Sequence, residues 1–147
     1  MDANNIRPIA ICLFRDRDRI LVSEDYDSVK RSHFGRPLGG AINFGECSRD
    51  AVLREIREEV GADVEGLRLI GVLENIFVYE GRQGHEVVFV YDAEFVDRSL
   101  YEREEIRCYE PEADVEFVAR WRSPEEMRGR GVRLVPEGLS GMLTTPV

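Results

Sequence analysis

Apolar positions along this chain follow two periods, and the alternation between them outlines strands and helices. Ile6 to Phe14 is a nearly continuous apolar run, as expected for a strand buried on both faces, and the charged stretch Arg15-Asp16-Arg17-Asp18 ends it. Arg19 to Glu24 reads as a second strand, so the two form a hairpin, while Tyr26 to Gly35 reads as polar and irregular. Arg36-Pro37-Leu38-Gly39-Gly40 excludes a helix and suggests a close approach of backbone. The period then changes. Val52, Ile56 and Val60 fall at i, i+4 and i+8 with Leu53 alongside, predicting a helix that Ser48 caps and Gly61 stops. Leu67 to Tyr79 and Glu86 to Phe95 are two long β-rich runs joined across Glu80-Gly81-Arg82-Gln83-Gly84, and Ser99 to Glu112 reads as a highly charged connection. Val115 to Trp121 is a further strand, Ser123-Pro124-Glu125-Glu126 starts a helix, and a short last helix is expected near Pro136 to Leu143. With no internal repeat or linker, one α+β domain over residues 1–147 is the economical reading.

Composition narrows the function classes. Apolar residues make up 43% and charged residues 33%, which suits a folded globular chain. The 20 basic and 29 acidic residues leave a net charge of −9, which argues against duplex nucleic acid or a polybasic membrane contact as partner. No segment approaches the length of a membrane span, and Met1 to Arg7 lacks the pattern of a secretory signal. Cys12, Cys47 and Cys108 are scattered and odd in number, and with only His33 and His85 they build neither a disulfide framework nor a zinc-finger spacing. The expected location is cytoplasmic.

The chemistry concentrates between Gly40 and Ala62. On the expected helix Glu55, Glu58 and Glu59 lie at i, i+3 and i+4, projecting three like charges from one face. Arg54 and Arg57 relieve part of that repulsion, yet a divalent cation is the simplest partner for converging carboxylates. Mg²⁺ and Mn²⁺ prefer oxygen ligands and keep positions for water and phosphate. The loop Gly39-Gly40-Ala41-Ile42-Asn43-Phe44-Gly45 precedes the helix and can bring backbone groups to the same point. A solvated charged face is the competing explanation for the glutamates alone.

Gly40, then Glu46 after five residues, then Arg54-Glu55-Ile56-Arg57-Glu58-Glu59-Val60-Gly61-Ala62 after seven more, resembles the Nudix box over 23 residues. Ala62 stands where a larger aliphatic residue is usual, Ala41 where a third glycine is frequent, and Leu38 where proline often precedes the glycine pair. The resemblance implies a Nudix-like α/β/α sandwich with a central mixed sheet. It implies Mg²⁺- or Mn²⁺-dependent hydrolysis of the pyrophosphate bond in a nucleoside diphosphate linked to another group. By position it implies Glu58 and Glu59 as principal metal ligands, and Glu55 as ligand and general base. The Gly40 carbonyl would complete the site, Arg54 would orient a glutamate, and Glu46 would brace the loop. It also leaves a homodimer open.

Outside the box, the charged stretch offers Glu102, Glu104, Glu105, Glu110 and Glu112 as a further acid, and His85 and Glu86 as weaker candidates. Tyr79 resembles the tyrosine marker of dinucleoside polyphosphate hydrolases, which slightly favours that substrate over nucleoside diphosphate sugars or nucleoside triphosphates. An ordinary aromatic strand explains it as well. Arg36 and Arg82 are candidates for phosphate contact. The alternative to an enzyme is a catalytically silent nucleotide-sensing or protein-binding module, against which the presence of all three helix glutamates weighs.

Overall fold

The computed structural model describes residues 4–143. Its axis is β1 (Ile6–Asp16), whose Ala10, Cys12 and Phe14 face one core while Ile9, Ile11 and Leu13 face another. Burial on both sides is why this strand reads as a continuous apolar run. Beside it run parallel β6 (Arg82–Phe95) and, on the other flank, antiparallel β4 (Leu38–Ala41). Antiparallel β5 (Val64–Tyr79) lies outside β6. The end of β1 pairs with β2 (Arg19–Asp27), which carries the structure into a second group of strands. There β2 is flanked by β3 (Ser32–Arg36) and β8 (Val115–Arg122). Antiparallel β7 (Glu105–Glu110) extends from β8, and parallel β9 (Val132–Leu134) from β3.

Helices cover both sides of this mixed sheet. The buried stripe of α1 (Ser48–Val60), Val52 and Ile56, packs into the core of Ala10, Cys12 and Phe14. Met127 of α2 (Pro124–Gly129) joins Ile20, Val22 and Val132, and Leu139 of α3 (Leu139–Met142) joins Ile9, Ile11 and Leu13. The α+β fold is therefore the α/β/α sandwich that the sequence led us to expect.

Several local expectations need correction. Residues 26–35 are not irregular: β2 runs on to Asp27, and β3 follows a turn in which Asp27 accepts N–H bonds from Val29 and Lys30. Leu38 to Ala41 is a strand, because glycine's missing side chain lets β4 lie close against β1. The α1 N-cap is Cys47, which makes no side-chain cap bond; the Ser48 hydroxyl instead contacts the Tyr91 hydroxyl at 2.6 Å. Gly61 does end α1, in a left-handed conformation with its N–H donating to Arg57 O at 2.9 Å. The β5–β6 turn is shorter than expected, with the positive φ values falling on Glu80 and Gly81. The charged connection contains a 3-10 turn at Arg98–Glu102 and then β7.

Gly39 is the tightest of these positions. Its φ is 149°, and a Cβ there would run into the carbonyl oxygen of Ala10 on the paired strand. Gly39→Ala should destabilise the protein by about 3 kcal/mol in denaturant unfolding. Gly129→Ala, where an added Cβ meets nothing within 4 Å, should stay within about 0.5 kcal/mol of the parent.

Candidate metal centre

One turn of α1 separates Glu55 from Glu59, so their side chains stack along the same line of the helix. That line faces β4 and β7 rather than water, and both residues are only 6% exposed. Glu110, at the end of β7, enters from the opposite side. One carboxylate oxygen from each of Glu55, Glu59 and Glu110 lies within 4.8 Å of the other two. Gly40 closes the space against Glu55: a Cβ at Gly40 would be 2.5 Å from the Glu55 carboxyl carbon. Backbone glycine is thus what allows β4 to approach the acid this closely.

Glu58 is placed differently from the expectation of three carboxylates at one point. It is turned about 100° from Glu59 around the helix axis, lies outside the converging set, and meets Arg54 Nη1 at 3.2 Å. Arg54 is the organising cation. Its Nε donates to Glu46 Oε2 at 2.8 Å, and its Nη2 to Glu46 Oε1 at 2.9 Å and to the Ala41 carbonyl at 3.0 Å. Its Nη1 donates to Glu55 Oε1 at 3.0 Å as well as to Glu58. All five guanidinium N–H groups are used, a fork geometry that lysine cannot reproduce. The same bidentate contact, with the Asn43 N–H, lowers the Glu46 carboxyl to about 2.

Electrostatics separate the inner acids from Glu46. Burial raises the Glu59 carboxyl to about 8, helped by the charges of Glu55 and Glu110 and opposed by Arg36 and the Gly39 N–H. Burial also raises Glu55, against the pull of Arg54 and with the push of Glu110 and Glu58. Oε1 of Glu59 is buried with no hydrogen-bond partner among the described residues. An unpartnered buried oxygen, inside a set of hard oxygen donors facing one point, fits a divalent cation such as Mg²⁺ or Mn²⁺.

The other sequence candidates scatter. Glu102 lines a separate cavity of about 500 Å³ with Arg98 and Tyr101, and Glu105 pairs with Arg120 at 2.9 Å. Glu104 is exposed just before β7, and Glu112 is exposed just after it. Glu110 was legible in one respect: Ile106 and Cys108 alternate as inward positions, and Glu110 continues that parity. His85 and Glu86 lie at the start of β6, on opposite faces of the strand, away from the carboxylate cluster. Tyr79 meets Phe34 edge-on at 5.6 Å, across the turn from exposed Arg82.

The buried carboxylate cluster beside a glycine strand is a set of oxygen donors that could hold a divalent cation. The family model described as NUDIX domain matches residues 5–137, and the chain belongs to that family. Among solved structures it resembles a MutT NUDIX hydrolase from Burkholderia pseudomallei, with 23% identity and a TM-score of 0.66 over 98% of this chain and 100% of that one. It also resembles a NUDIX hydrolase from Nitrosomonas europaea, with 17% identity and a TM-score of 0.58 over 97% of this chain and 82% of that one. A MutT protein from Bacillus halodurans gives 18% identity and a TM-score of 0.59 over 95% and 81% of the respective chains. These likenesses are of fold. No helix among the described residues is long and apolar enough to cross a membrane.

Because Glu59 binds its proton more tightly folded than unfolded, its contribution to stability is full below its ordinary value of 4.5 and is lost as pH rises through about 8. Glu59→Gln should therefore raise the melting temperature of the metal-free protein, and the gain should widen between those pH values. In separate titrations with MgCl₂ and MnCl₂, the parent's melting temperature should rise with concentration and the variant's should not. A parent that ignores both metal ions at pH 8 would remove the metal centre from consideration.

Proposed function

We propose that this chain hydrolyses a phosphoanhydride bond in a nucleoside diphosphate linked to another group, with Mg²⁺ or Mn²⁺ as cofactor. The observation that carries this reading is the convergence of Glu55, Glu59 and Glu110 within 4.8 Å, on a chain whose family handles such bonds. Glu55 and Glu59, with Glu58 from the helix edge and the Gly40 backbone, are the proposed metal ligands, and the position of Glu110 supports it as a further one. A bound divalent ion would neutralise charge on the phosphate oxygens and acidify water.

The protein's own groups supply orientation and a proton acceptor. Arg54 holds Glu55 through Nη1 while anchored to Glu46 and the Ala41 carbonyl, so the Glu55 carboxylate has a fixed direction. In the proposed reaction the oxygen of water attacks one phosphorus of the diphosphate, and the bond to the bridging oxygen breaks. Ionised Glu55 accepts the water proton, and a mononucleotide and a phosphorylated remainder leave. Glu46 stays ionised throughout and serves as the brace. Tyr79, Arg36 and Arg82 are proposed substrate contacts. Tyr79 slightly favours a dinucleoside polyphosphate over a nucleoside diphosphate sugar or a nucleoside triphosphate.

The test is a panel of these three substrate classes incubated with Mg²⁺, Mn²⁺ or chelator, with products identified by chromatography. Metal-dependent release of a mononucleotide is expected. Glu59→Gln should abolish most turnover, lowering kcat by about 10²-fold or more, because it removes a proposed ligand of the ion that would polarise the phosphate. Arg54→Lys should cost about 10–100-fold, as for an outer partner that orients a ligand. Tight binding without products across the panel would replace the enzyme with a nucleotide sensor.

A further inference from the structure

Away from the carboxylate cluster, an open cavity of about 500 Å³ lies where the β1–β2 turn meets the 3-10 turn that follows β6. Four arginines line it: Arg15, Arg17 and Arg19 from the β1–β2 hairpin, and Arg98 from the 3-10 turn. Arg15 stands five residues along β1 from Ala10, the strand partner of Gly40. At about 3.3 Å per residue, it is about 16 Å along the strand from the level of that glycine, so the cavity is separate from the metal centre.

Acids hold three of these arginines in position. Asp16 Oδ2 accepts from Arg19 Nη2 at 2.7 Å, while Glu94 and, from β5, Glu65 accept from Arg98 Nη2 at 3.1 and 2.9 Å. Asp92 lies 3.3 Å from Arg15 Nε and 3.4 Å from Arg68 Nη2, so one carboxylate serves two cations. Arg19 and Arg98 are each engaged through one terminal nitrogen, leaving the other donors of each fork without a protein partner among the described residues. Arg17 differs. It is exposed and makes no ion pair among the described residues, and its φ of 62° puts it in the left-handed region, at the first position of a two-residue turn. Glycine, asparagine or aspartate is the usual occupant of such a position, and arginine there strains the backbone. A turn that only reverses the chain has less strained choices.

We propose that this cavity binds a small polyphosphate anion, either inorganic diphosphate or the phosphate chain of a free nucleotide, between Arg17 and Arg19 on one side and Arg98 on the other. Planar guanidinium forks match phosphate oxygens in pairs, and several forks on one cavity suit an anion with several such oxygens. On a chain of net charge −9, four arginines against Asp16, Glu94 and Glu102 make a local excess of positive charge. Tyr101, the aromatic residue of the lining, is already engaged: its ring stacks on Trp121 at 5.2 Å and Arg98 lies over it at 5.8 Å. The cavity therefore recognises the phosphate chain and not a base. Its cations are side chains, so the site works without a metal and is independent of the proposed hydrolysis.

Calorimetry on the metal-free protein, in buffer without chelator, isolates this site, because the bare carboxylate cluster repels diphosphate. Inorganic diphosphate and ADP should both bind, with similar affinity. Arg17→Gly should melt no lower than the parent, since glycine suits the left-handed turn, yet bind diphosphate about tenfold more weakly. Arg98→Gln should weaken binding about tenfold, as for a charged hydrogen bond, and the double variant should show no measurable binding. Arg36→Gln, which removes the charge that bears on Glu59, should leave diphosphate affinity unchanged. The proposal is overturned if the metal-free parent does not bind diphosphate, or if Arg17→Gly and Arg98→Gln both bind it as the parent does. Loss of binding in Arg36→Gln would overturn it too, by moving the anion to the metal centre. ADP binding about tenfold or more tightly than diphosphate, the mark of a stacked base, would also reject it.

Discussion

The Arg54 guanidinium is the contact on which the geometry of the site depends. It ties the loop after β4, through Glu46 and the Ala41 carbonyl, to α1, through Glu55 and Glu58. With every donor engaged, the planar group has one orientation, and so has the Glu55 carboxylate it holds. Glu46 belongs to the same lock. Its bidentate contact and the Asn43 N–H keep it ionised to strongly acid pH, so the brace does not loosen in the range where the inner acids titrate.

The inner acids behave in the opposite way. Glu55 and Glu59 are nearly inaccessible and have a third carboxylate, Glu110, directed at them from β7. Burying like charges opposes folding, and the raised Glu59 carboxyl shows the direction of that cost. The core of Phe14, Phe95, Val52 and Ile56 offsets it by fixing α1 against β1 and β6. A helix held by apolar packing on one side can present acids on the other that would separate if free. Stability and chemistry are thus assigned to adjacent faces of the same thirteen-residue helix.

Much of this was readable along the chain, for reasons that differ between residues. The α1 stripe, its Gly61 stop and the long β5 and β6 runs are local patterns, set by period and by one left-handed position. The family resemblance implied that Arg54 orients a glutamate and that Glu46 braces the loop, and the structure joins the two in one bidentate contact. What local pattern missed was non-local. Polar Ser32 to Arg36 forms a strand because β2 and β9 pair on either side of it, and β9 comes from far along the chain. Ser48 looked like a cap, but the hydroxyl of Tyr91, 43 residues away, claims it. Glu110 was one acid among five in a charged stretch, and only the pairing of β7 with β8 decides which one points inward. Helical spacing also places Glu58 near Glu55 and Glu59, without telling that the sheet covers their side of α1 and leaves Glu58 at the edge beside Arg54.

The charge of the whole chain and the chemistry of its candidate site reconcile at this scale. A net charge of −9 repels a polyphosphate at a distance, and the bare carboxylate cluster repels it at contact. Attraction therefore has to be local. Arg36, whose positive charge bears on Glu59, is one such local cation. Screening at physiological salt confines the unfavourable field of distant surface acids to about 8 Å, whereas a paired phosphate and guanidinium interact within contact distance. A chain with broad basic surface would attract any nucleic acid backbone. An acidic chain instead suits a small anion whose charge a bound divalent cation would neutralise.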